Sequence, residues 1–381
     1  MLKVPANKRI PLCKPSINED DLRVVSDAIK SGWLAHGKFN HDFEDNFAQY
    51  IGVKHAITMN SCTSALEIAL KANDIRGEVI IPSFTWVATA NAVINAGATP
   101  VFADVDYETK NLTSQNIESL INHKTEAVIV VHFGGQICLM AEILELCRKH
   151  HLLLIEDSAE TIGARFGDRQ AGSFGVGCFS FFPTKNITTG EGGMLTTNDQ
   201  KFAEKCRALI SHGIASTTFA RESQNNPWER SADYAGHNFR MPNPLAALGN
   251  NQLMRLEEFN LKRKNIAHFY HSKLKNLCGL VETPKTAQGA EHVYQTYTIT
   301  VEKKIRNHLV KFLNDNNVGA SVHFDPPVHL QPFYKNFLKR RCNLPSTEKL
   351  SAEVISLPIY PDMTLKDQRV VVKHVREYFG L

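Results

Sequence analysis

The stretch FSFFPTKNITTGEGGM, residues 179–194, is the segment around which the chain is organised. An apolar, aromatic strand ends at a proline turn, presents Lys185 among small and hydroxylated residues, and continues through a glycine-rich loop into a second strand, GGMLTTN. This pattern predicts a lysine amine held beside backbone groups and away from bulk water. Desolvation there favours the neutral amine, which is a nucleophile suited to forming a Schiff base. The alternative is a surface lysine on a hairpin turn, and Lys185 alone does not decide between the two.

Composition sets broad limits on the class of protein. The chain has 381 residues, of which 43% are hydrophobic and 22% are charged, and its formal net charge is +4. This length suits two domains that share a large core. The small net charge gives no indication of nucleic-acid or membrane binding, although it is compatible with a mildly basic cleft for an anionic ligand.

The cysteines and the N-terminus indicate the compartment. The eight cysteines are scattered, with no CxxC pair, and several lie in apolar runs. This usage favours buried thiols in a reducing compartment over disulfides or a zinc site, so we expect no metal. The N-terminus lacks the apolar core of a signal peptide, and no run approaches the ~20 apolar residues of a membrane helix. We therefore expect a cytoplasmic location and no membrane partner.

Apolar strands and helices alternate along the first half of the chain. The predicted strands are KHAITMN, GEVIIPS, TPVFADVD, EAVIVVHFGG and LLLIEDS, and helices such as ALEIALKAN, TWVATANAVINAG and LMAEILELCRKHH lie between them. Strands with little polar alternation, separated by helices, predict a mostly parallel sheet covered on both faces. Ligands of such sheets bind at the carboxyl ends of the strands.

A second alternation begins near Val293. It comprises strand VYQTYTITV, helix EKKIRNHLVKFLNDN, strand ASVHF, a proline-rich loop and a closing helix LKDQRVVVKHVREYF. We predict a large domain with an N-terminal arm over residues 1–250 and a smaller α/β domain over residues 251–381. Residues 217–234 are polar and irregular, and we expect them to be mobile.

A turn after the first strand offers a site for an anion. Cys62 and Thr63 lie at the start of a helix, and Ser64 and Glu67 have the spacing of a capping box. Free backbone N–H groups and hydroxyls at a helix start match a phosphate monoester. The alternative is an ordinary helix N-cap.

Three further side chains fall at strand ends. Asp157 ends the apolar strand before SAE. A carboxylate there needs a cationic or N–H partner, and a protonated pyridine nitrogen would serve. The alternative is a helix cap or a buried salt bridge. Glu156 faces the opposite side, since strand residues alternate. Trp86 is suited to stacking on a flat heteroaromatic ring or to packing in the core. Ser180 is suited to a phosphate or to a neighbouring backbone group.

Phosphate cradle, stacking aromatic, strand-end carboxylate and strand-turn lysine, in that order on an α/β chain, together specify pyridoxal 5′-phosphate. The sequence resembles the DegT/DnrJ/EryC1/StrS family of nucleotide-sugar aminotransferases, which are fold-type I enzymes of this cofactor. The resemblance covers nearly the whole chain, in these blocks: GWLAHGKFNHDFEDNFAQYIG, NSCTSALEIAL, PSFTWVATANAV, IEDSAETIGA, SFFPTKNITTGEGGM, GHNFRMPNPLAALGNNQL and HFDPPVHLQPFY. Several blocks in a fixed order are far more specific than one glycine-rich loop.

The resemblance implies roles for individual residues. Lys185 would carry the cofactor as the internal aldimine, Asp157 would pair with the pyridine nitrogen, and Trp86 would stack on the ring. Thr63 and Cys62 would hold the phosphate, helped by Ser180. Cys62 would use only its backbone, because many members have glycine at this position.

The resemblance also implies a homodimer with a shared active site. Asn238 would reach the phosphate bound by the other subunit. Glu160 lies where many members have glutamine or histidine near the cofactor's 3-hydroxyl, and glutamate at this position indicates a 4-keto-6-deoxy sugar. Arg240, His323 and His329 lie in family-like blocks, where they would bind the donor carboxylate, the sugar or the diphosphate, or would have a structural role.

The reaction implied is transfer of an amino group from L-glutamate to a nucleotide-linked keto sugar, with release of 2-oxoglutarate, in amino-sugar biosynthesis for a surface polysaccharide or related glycan. One alternative is a sugar dehydratase or another lyase on the same fold. A dehydratase branch of the family has histidine in place of the lysine, so Lys185 disfavours dehydration. A further alternative is a non-catalytic regulatory dimer.

Overall fold

The computed structural model describes residues 9–214, 231–337 and 342–381 of the chain. Within these ranges the strands are β1 (His55–Met59), β2 (Glu78–Pro82), β3 (Thr99–Ala103), β4 (Thr125–Val131), β5 (Leu153–Asp157), β6 (Arg165–Phe166), β7 (Arg169–Gln170), β8 (Val176–Ser180), β9 (Gly193–Thr197), β10 (Tyr297–Thr300) and β11 (Val354–Leu357). Of the segment predicted to be mobile, residues 217–234, the part from 217 to 230 lies outside the described residues.

Helices surround these strands. They are α1 (Glu19–Lys30), α2 (Lys38–Ile51), α3 (Cys62–Ala72), α4 (Val87–Asn95), α5 (Ser114–Glu118), α6 (Met140–Lys149), α7 (Gln200–Leu209), α8 (Asn243–Leu253), α9 (Leu256–Leu274), α10 (Lys303–Asp315), α11 (Pro332–Phe337), α12 (Pro345–Glu353) and α13 (Leu365–Tyr378). No helix in the described ranges is both long enough and apolar enough to cross a membrane.

The central sheet has seven strands in the order β1-β9-β8-β5-β4-β2-β3. The pairs from β3 through β2, β4 and β5 to β8 are parallel. Strand β9 is antiparallel to both of its neighbours, β8 and β1. The six remaining strands of this sheet therefore all run in the same direction. The prediction of an α/β fold with a mostly parallel sheet is confirmed.

Both faces of the sheet are buried, which explains the unbroken apolar runs of the strands. Val79 and Ile81 point into a core shared with α3, α4 and α7. Ile80, between them, points into a second core with α5 and α6 on the opposite face. Phe179 and Met194 on β8 and β9 pack with α2 and α8 in a third core on that opposite face. Side-chain alternation along each strand therefore distributes apolar residues to two covered faces.

A smaller unit follows the sheet. Strands β10 and β11 pair antiparallel, with Tyr297 opposite Leu357, and they share an apolar core with α9, α10 and α13. Ile10 joins this core and bridges to Val318. Helix α9 spans both parts, since Phe259 packs under the sheet and Tyr270 packs in the smaller core. The domain boundary at residue 250 stays a prediction.

Three local predictions in the second half were wrong. The strand predicted at ASVHF is a single bridge between Ser321 and Ser356, because Phe324 has a positive φ of 61° that ends the extended run. The strand predicted from Val293 contains only Tyr297–Thr300. The predicted proline-rich loop contains helices α11 and α12 and strand β11. Strand β11 has only four residues and no turn signal before it, so its pairing with β10 was not visible locally.

Candidate active site

One cavity of about 580 Å³ lies at the carboxyl ends of the parallel strands. Its walls come from the residues after β1 and β2, from the ends of β4, β5 and β8, and from the smaller unit. The lining residues from the predicted site are Cys62, Thr63, Trp86, Asp157, Glu160, Ser180, Lys185 and His323. A volume of this size suits a small-molecule ligand. The parallel sheet thus gathers side chains that are far apart in sequence.

Lys185 lies in the connection between β8 and β9. The two strands are held in register by pairs such as Phe179 with Met194, and the backbone N–H of Lys185 donates to the carbonyl of Phe182 at 2.9 Å. The ammonium Nζ donates to Oε1 of Glu160 at 3.1 Å, and the Lys185 side chain is only 16% exposed. The predicted pair of strands joined by a connection that carries Lys185 is confirmed, and the amine lines the cavity, unlike the surface lysine of the alternative.

Glu160 is held from two sides. Its second oxygen, Oε2, accepts the backbone N–H of Gly134 at 2.7 Å. Burial by itself would raise the pKa of the Glu160 carboxyl, but the ammonium of Lys185, His323 and the Gly134 N–H together hold its pKa below the usual value. The carboxylate is therefore a fixed negative charge beside the lysine amine.

Asp157 ends β5 at the floor of the cavity and is buried. Its Oδ2 accepts the hydroxyl of Thr89 at 2.9 Å, and its Oδ1 accepts the N–H of Ala159 at 3.3 Å. The thiol of Cys62 approaches Oδ1 at 3.9 Å. Burial raises the pKa of the Asp157 carboxyl, and the hydrogen bonds from Thr89 and Ala159 oppose that rise. A cation bound in the cavity would stabilise the ionised form further.

Glu156, its neighbour on the strand, points away from the cavity as predicted. It accepts hydrogen bonds from the backbone N–H groups of Gly172, Phe174 and Gly175 at 2.8, 2.6 and 2.8 Å. These bonds hold the loop that leads into β8, so Glu156 has a structural environment.

The start of α3 forms the polar end of the cavity. Ser61 is the N-cap, and its hydroxyl accepts the N–H of Ser64 at 3.1 Å. The predicted capping box of Ser64 with Glu67 was wrong, because Ser64 is already the third helical residue and Glu67 pairs with Lys71 at 2.6 Å. The first N–H groups of a helix have no intrahelical acceptor and can bind an anion.

Ser180 and Gly193 complete this end of the cavity. Ser180 lines the cavity beside α3, and its hydroxyl oxygen accepts the N–H of Phe182 at 3.3 Å. A Cβ on Gly193 would lie 2.3 Å from the backbone carbon of Ser61 and 2.4 Å from its oxygen. Only glycine allows β9 to pass so close to the start of α3.

Trp86 is the N-cap of α4 and is 66% exposed at the cavity wall. The alternative of a core aromatic does not apply, since the ring is not buried. Its exposed face is available to a flat ligand ring.

His323 is the other aromatic ring of the predicted set on the cavity. Its Nδ1 lies 2.6 Å from the hydroxyl of Ser356 on β11. Burial lowers the pKa of His323, with Glu160 opposing the change and Lys185 adding to it. A neutral imidazole in this wall can donate or accept one hydrogen bond from a ligand.

Three predicted residues are not on this cavity. The ring of His329 is buried between Ser83, at 2.6 Å from Nδ1, and Glu348, at 3.4 Å from Nε2, which places it in the packing of β2 against α12. Asn238 is exposed, and its Oδ1 accepts Nε of Arg240 at 3.0 Å. The role of Asn238 at the phosphate of a partner subunit and the role of Arg240 as a ligand of the donor carboxylate, the sugar or the diphosphate stay predictions.

Sequence reasoning missed several groups that complete the site. Thr89 on α4, the Gly134 N–H after β4, and Gln295 and Phe324 of the smaller unit were not considered. Thr89 carried a detectable signal, because it is a hydroxyl about one turn after Trp86 in a mostly apolar helix. Gly134 carried none, since its contact with Glu160 depends on how β4 and β5 are paired.

The donor set fits pyridoxal 5′-phosphate. The cavity wall contains a buried carboxylate, the free N–H groups at the start of a helix, and a lysine amine on the connection between β8 and β9. Within residues 9–214, 231–337 and 342–381 no group of three or more His, Cys, Asp or Glu side chains could hold a metal ion. Fold and donor set together define the class of enzymes that bind this cofactor on a fold-type I scaffold.

The chain belongs to the DegT/DnrJ/EryC1/StrS aminotransferase family, whose model matches residues 15–376. The resemblance found in the sequence is therefore confirmed, and with it an aminotransferase that depends on pyridoxal 5′-phosphate.

Individual relatives match over almost their full length. The chain is 38% identical over 380 residues to the spore coat polysaccharide biosynthesis protein SpsC of Bacillus subtilis, covering 97% of each chain. It is 34% identical to the GDP-perosamine synthase of Vibrio cholerae over 97% of this chain and 99% of that one. Among solved structures, PseC of Helicobacter pylori, an aminotransferase of pseudoaminic acid biosynthesis, superposes with a TM-score of 0.90 at 29% identity, covering 98% of this chain and 100% of that one.

Proposed function

We propose that the protein transfers the amino group of L-glutamate to a keto sugar carried by a nucleotide, releasing 2-oxoglutarate and an amino sugar for a surface polysaccharide or related glycan. The observation that carries the proposal is the cavity that unites Lys185 with the buried carboxylate of Asp157. The GDP-perosamine synthase relative supports a nucleotide-linked sugar as the acceptor, and the spore coat polysaccharide relative supports a role in a surface glycan.

When bound, the cofactor supplies an electron sink for a carbanion next to the amino nitrogen. Lys185 would hold it through its amine, and this amine would take and return the proton of the substrate carbon that bears the amino nitrogen. Glu160, 3.1 Å from the amine, holds the lysine in reach of that carbon and stabilises its ammonium form. Asp157 stabilises a protonated ring nitrogen. The same residues act in reverse on the keto sugar in the second half of the reaction.

The remaining walls orient the two ligands. The N–H groups of Cys62 and Thr63 and the hydroxyl of Ser180, which line the cavity at the start of α3, would bind the phosphate, and Trp86 would cover one ring face. His323, on the wall formed by the smaller unit, contacts the sugar or the donor carboxylate.

Lys185 is tested by chemical trapping. Borohydride should fix the cofactor on Lys185, and Lys185→Ala should lose both the visible absorbance and the formation of 2-oxoglutarate in step with sugar amination. Lys110 is the matched control, because burial lowers the pKa of its ammonium to about 8 and yet it is not among the residues that line the cavity. Lys110→Ala should keep both the trapping of the cofactor on Lys185 and the turnover of the sugar.

Turnover by Lys185→Ala, or trapping of the cofactor on Lys110, would refute the proposal. Turnover of sugar without 2-oxoglutarate would favour a lyase.

We also propose a homodimer in which Asn238 of one subunit reaches the phosphate bound by the other. The exposed position of Asn238, outside the cavity of its own chain, supports this arrangement. Mixing Lys185→Ala with Asn238→Ala subunits should restore about a quarter of the sites by random pairing, since each mixed dimer contains one intact site. Activity at limiting cofactor measures this. No gain over the unmixed proteins would show that the site is not shared.

The cytoplasm is the proposed location. Cys62, Cys178 and Cys206 are buried thiols, and buried thiols are typical of a reducing compartment. Nucleic acid is not a proposed partner, since the net charge is only +4.

A further inference from the structure

Two threonine hydroxyls form a chain of hydrogen bonds to the carboxylate at the floor of the cavity. Thr89 Oγ1 lies 2.9 Å from Oδ2 of Asp157, and Thr85 Oγ1 lies 2.9 Å from Thr89 Oγ1. Both threonines are almost fully buried, at 1% and 3% exposure. Neither belongs to the predicted site.

The direction of these hydrogen bonds follows from the chemistry of the groups. An ionised carboxylate can only accept hydrogen bonds, so the Thr89 hydroxyl donates its single hydrogen bond to Asp157. The Thr89 oxygen then accepts a hydrogen bond from the Thr85 hydroxyl. Aligned hydroxyls polarise one another, so the second bond strengthens the first.

The hydroxyl of Thr89 is fixed by the backbone of α4. The N–H of Thr89 donates to the carbonyl of Trp86 at 3.2 Å, which makes Thr89 part of the first turn of the helix that Trp86 caps. The other carboxylate oxygen of Asp157 accepts the N–H of Ala159 at 3.3 Å. Oδ2 therefore has the Thr89 hydroxyl as its donor, and Oδ1 has the Ala159 N–H together with the more distant Cys62 thiol at 3.9 Å.

We propose that Thr89, supported by Thr85, is a positioning residue that orients the Asp157 carboxylate and holds it ionised for the ring nitrogen of the cofactor. This inference rests on the proposed function, which assigns Asp157 to that nitrogen. Trp86, the N-cap of α4, and Thr89, three residues later in its first turn, would then set both the plane of the ring and the acid that faces its nitrogen.

The environment of Asp157 explains why such a device is needed. Burial raises the pKa of this carboxyl, and the hydrogen bond from Thr89 is the largest of the interactions that oppose the rise. Without the hydroxyl, the carboxyl is more easily protonated and loses its attraction for a pyridinium.

The test compares two ligands on the full-length apoprotein: pyridoxal 5′-phosphate and its 1-deaza analogue, in which carbon replaces the ring nitrogen. We expect Thr89→Val to weaken binding of pyridoxal 5′-phosphate about tenfold or more, because a hydrogen bond to a charged group is lost. Binding of the deaza analogue should stay unchanged. Thr89→Ser restores the hydroxyl and should restore discrimination between the ligands, and Thr85→Val should give a smaller loss in the same direction.

Thr347→Val is the matched control. Thr347 is equally buried and donates to Asp104 Oδ1 at 2.7 Å, far from the cavity, so this change should lower the thermal midpoint and leave discrimination intact. If Thr89→Val lowered the affinity for both ligands equally, Thr89 would only contribute packing, and the inference would be wrong. Unchanged affinity for both ligands would also overturn it. If the wild-type protein binds neither ligand, or binds both equally, the assignment of Asp157 fails first, and the inference fails with it.

Discussion

Glu160 and Lys185 form an ion pair at the wall of the cavity, with both side chains largely shielded from water. The Gly134 N–H fixes the second oxygen of Glu160, so the carboxylate cannot rotate away when the lysine engages a ligand. Under the proposed function, this fixed carboxylate would stay beside the Lys185 amine as its ion-pair partner while the amine moves a proton.

Glu160→Gln should keep the shape of the site and remove its charge. We expect cofactor still to be trapped on Lys185, while each half-reaction slows about a hundredfold, the lower end of the range of about 10²–10⁴-fold that a positioned proton-handling group contributes. Single-turnover absorbance measurements report each half separately. Glu291→Gln, which removes the more exposed pair with Lys264 at 3.4 Å, is the control and should leave the rates unchanged. Wild-type rates in Glu160→Gln would contradict this role.

The contact between β9 and α3 shows how secondary-structure elements shape the anion site. Strand β9 pairs with β1, opposing Gly193 to Met59, and this pairing brings the strand against the turn at Ser61 that opens α3. The helix start is therefore held by a strand more than a hundred residues away in sequence.

Gly193→Ala should displace the start of α3, because the new methyl group would overlap the backbone of Ser61. We expect a loss of affinity for pyridoxal 5′-phosphate larger than the loss for pyridoxal, which lacks the phosphate. The control Gly279→Ala introduces strain at a φ of +85° where nothing lies within 4 Å. It should cost about 1 kcal/mol of stability without changing either affinity. Equal losses for both ligands in Gly193→Ala would show that α3 does not hold the phosphate.

Across the whole molecule, one buried carboxylate ties three elements together. Glu44 on α2 accepts the N–H and hydroxyl of Thr58 on β1 at 2.8 and 2.7 Å, and it pairs with Arg207 on α7 at 2.6 Å. Burial alone would raise the pKa of Glu44, but Arg207, His36 and the Thr58 N–H outweigh it and lower the pKa to about 2.

This shift makes stability depend on pH. The pKa in the folded state is below the unfolded value of 4.5, so the stabilisation is present above pH 4.5 and is lost as pH falls from there towards about 2. The difference corresponds to about 3 kcal/mol. Glu44→Gln should lower the free energy of unfolding at pH 7 and flatten its dependence on pH in this window, as denaturant titrations would measure. Glu145→Gln, at an exposed pair with Arg148, should do neither. An unchanged pH profile in Glu44→Gln would refute the assignment.

Local sequence was sufficient for much of the fold and site. Apolar runs with helices between them predict a parallel sheet because both of its faces are covered, and the strand ends then name Asp157, Ser180 and Lys185. The helix start and a strand end also named Thr63 and Trp86, and the family blocks added Glu160; all three line the cavity.

Other features depend on contacts between residues far apart in the chain, and only the folded molecule reveals them. The pairing of β1 with β9, the insertion of β11 beside β10, and the division of roles between His323 on the cavity and His329 in the packing follow from how elements dock. The same holds for Thr89, whose hydroxyl is significant only because α4 packs it against the end of β5. Patterns along a chain report which residues are buried, whereas the partner that satisfies a buried polar group is chosen by tertiary packing.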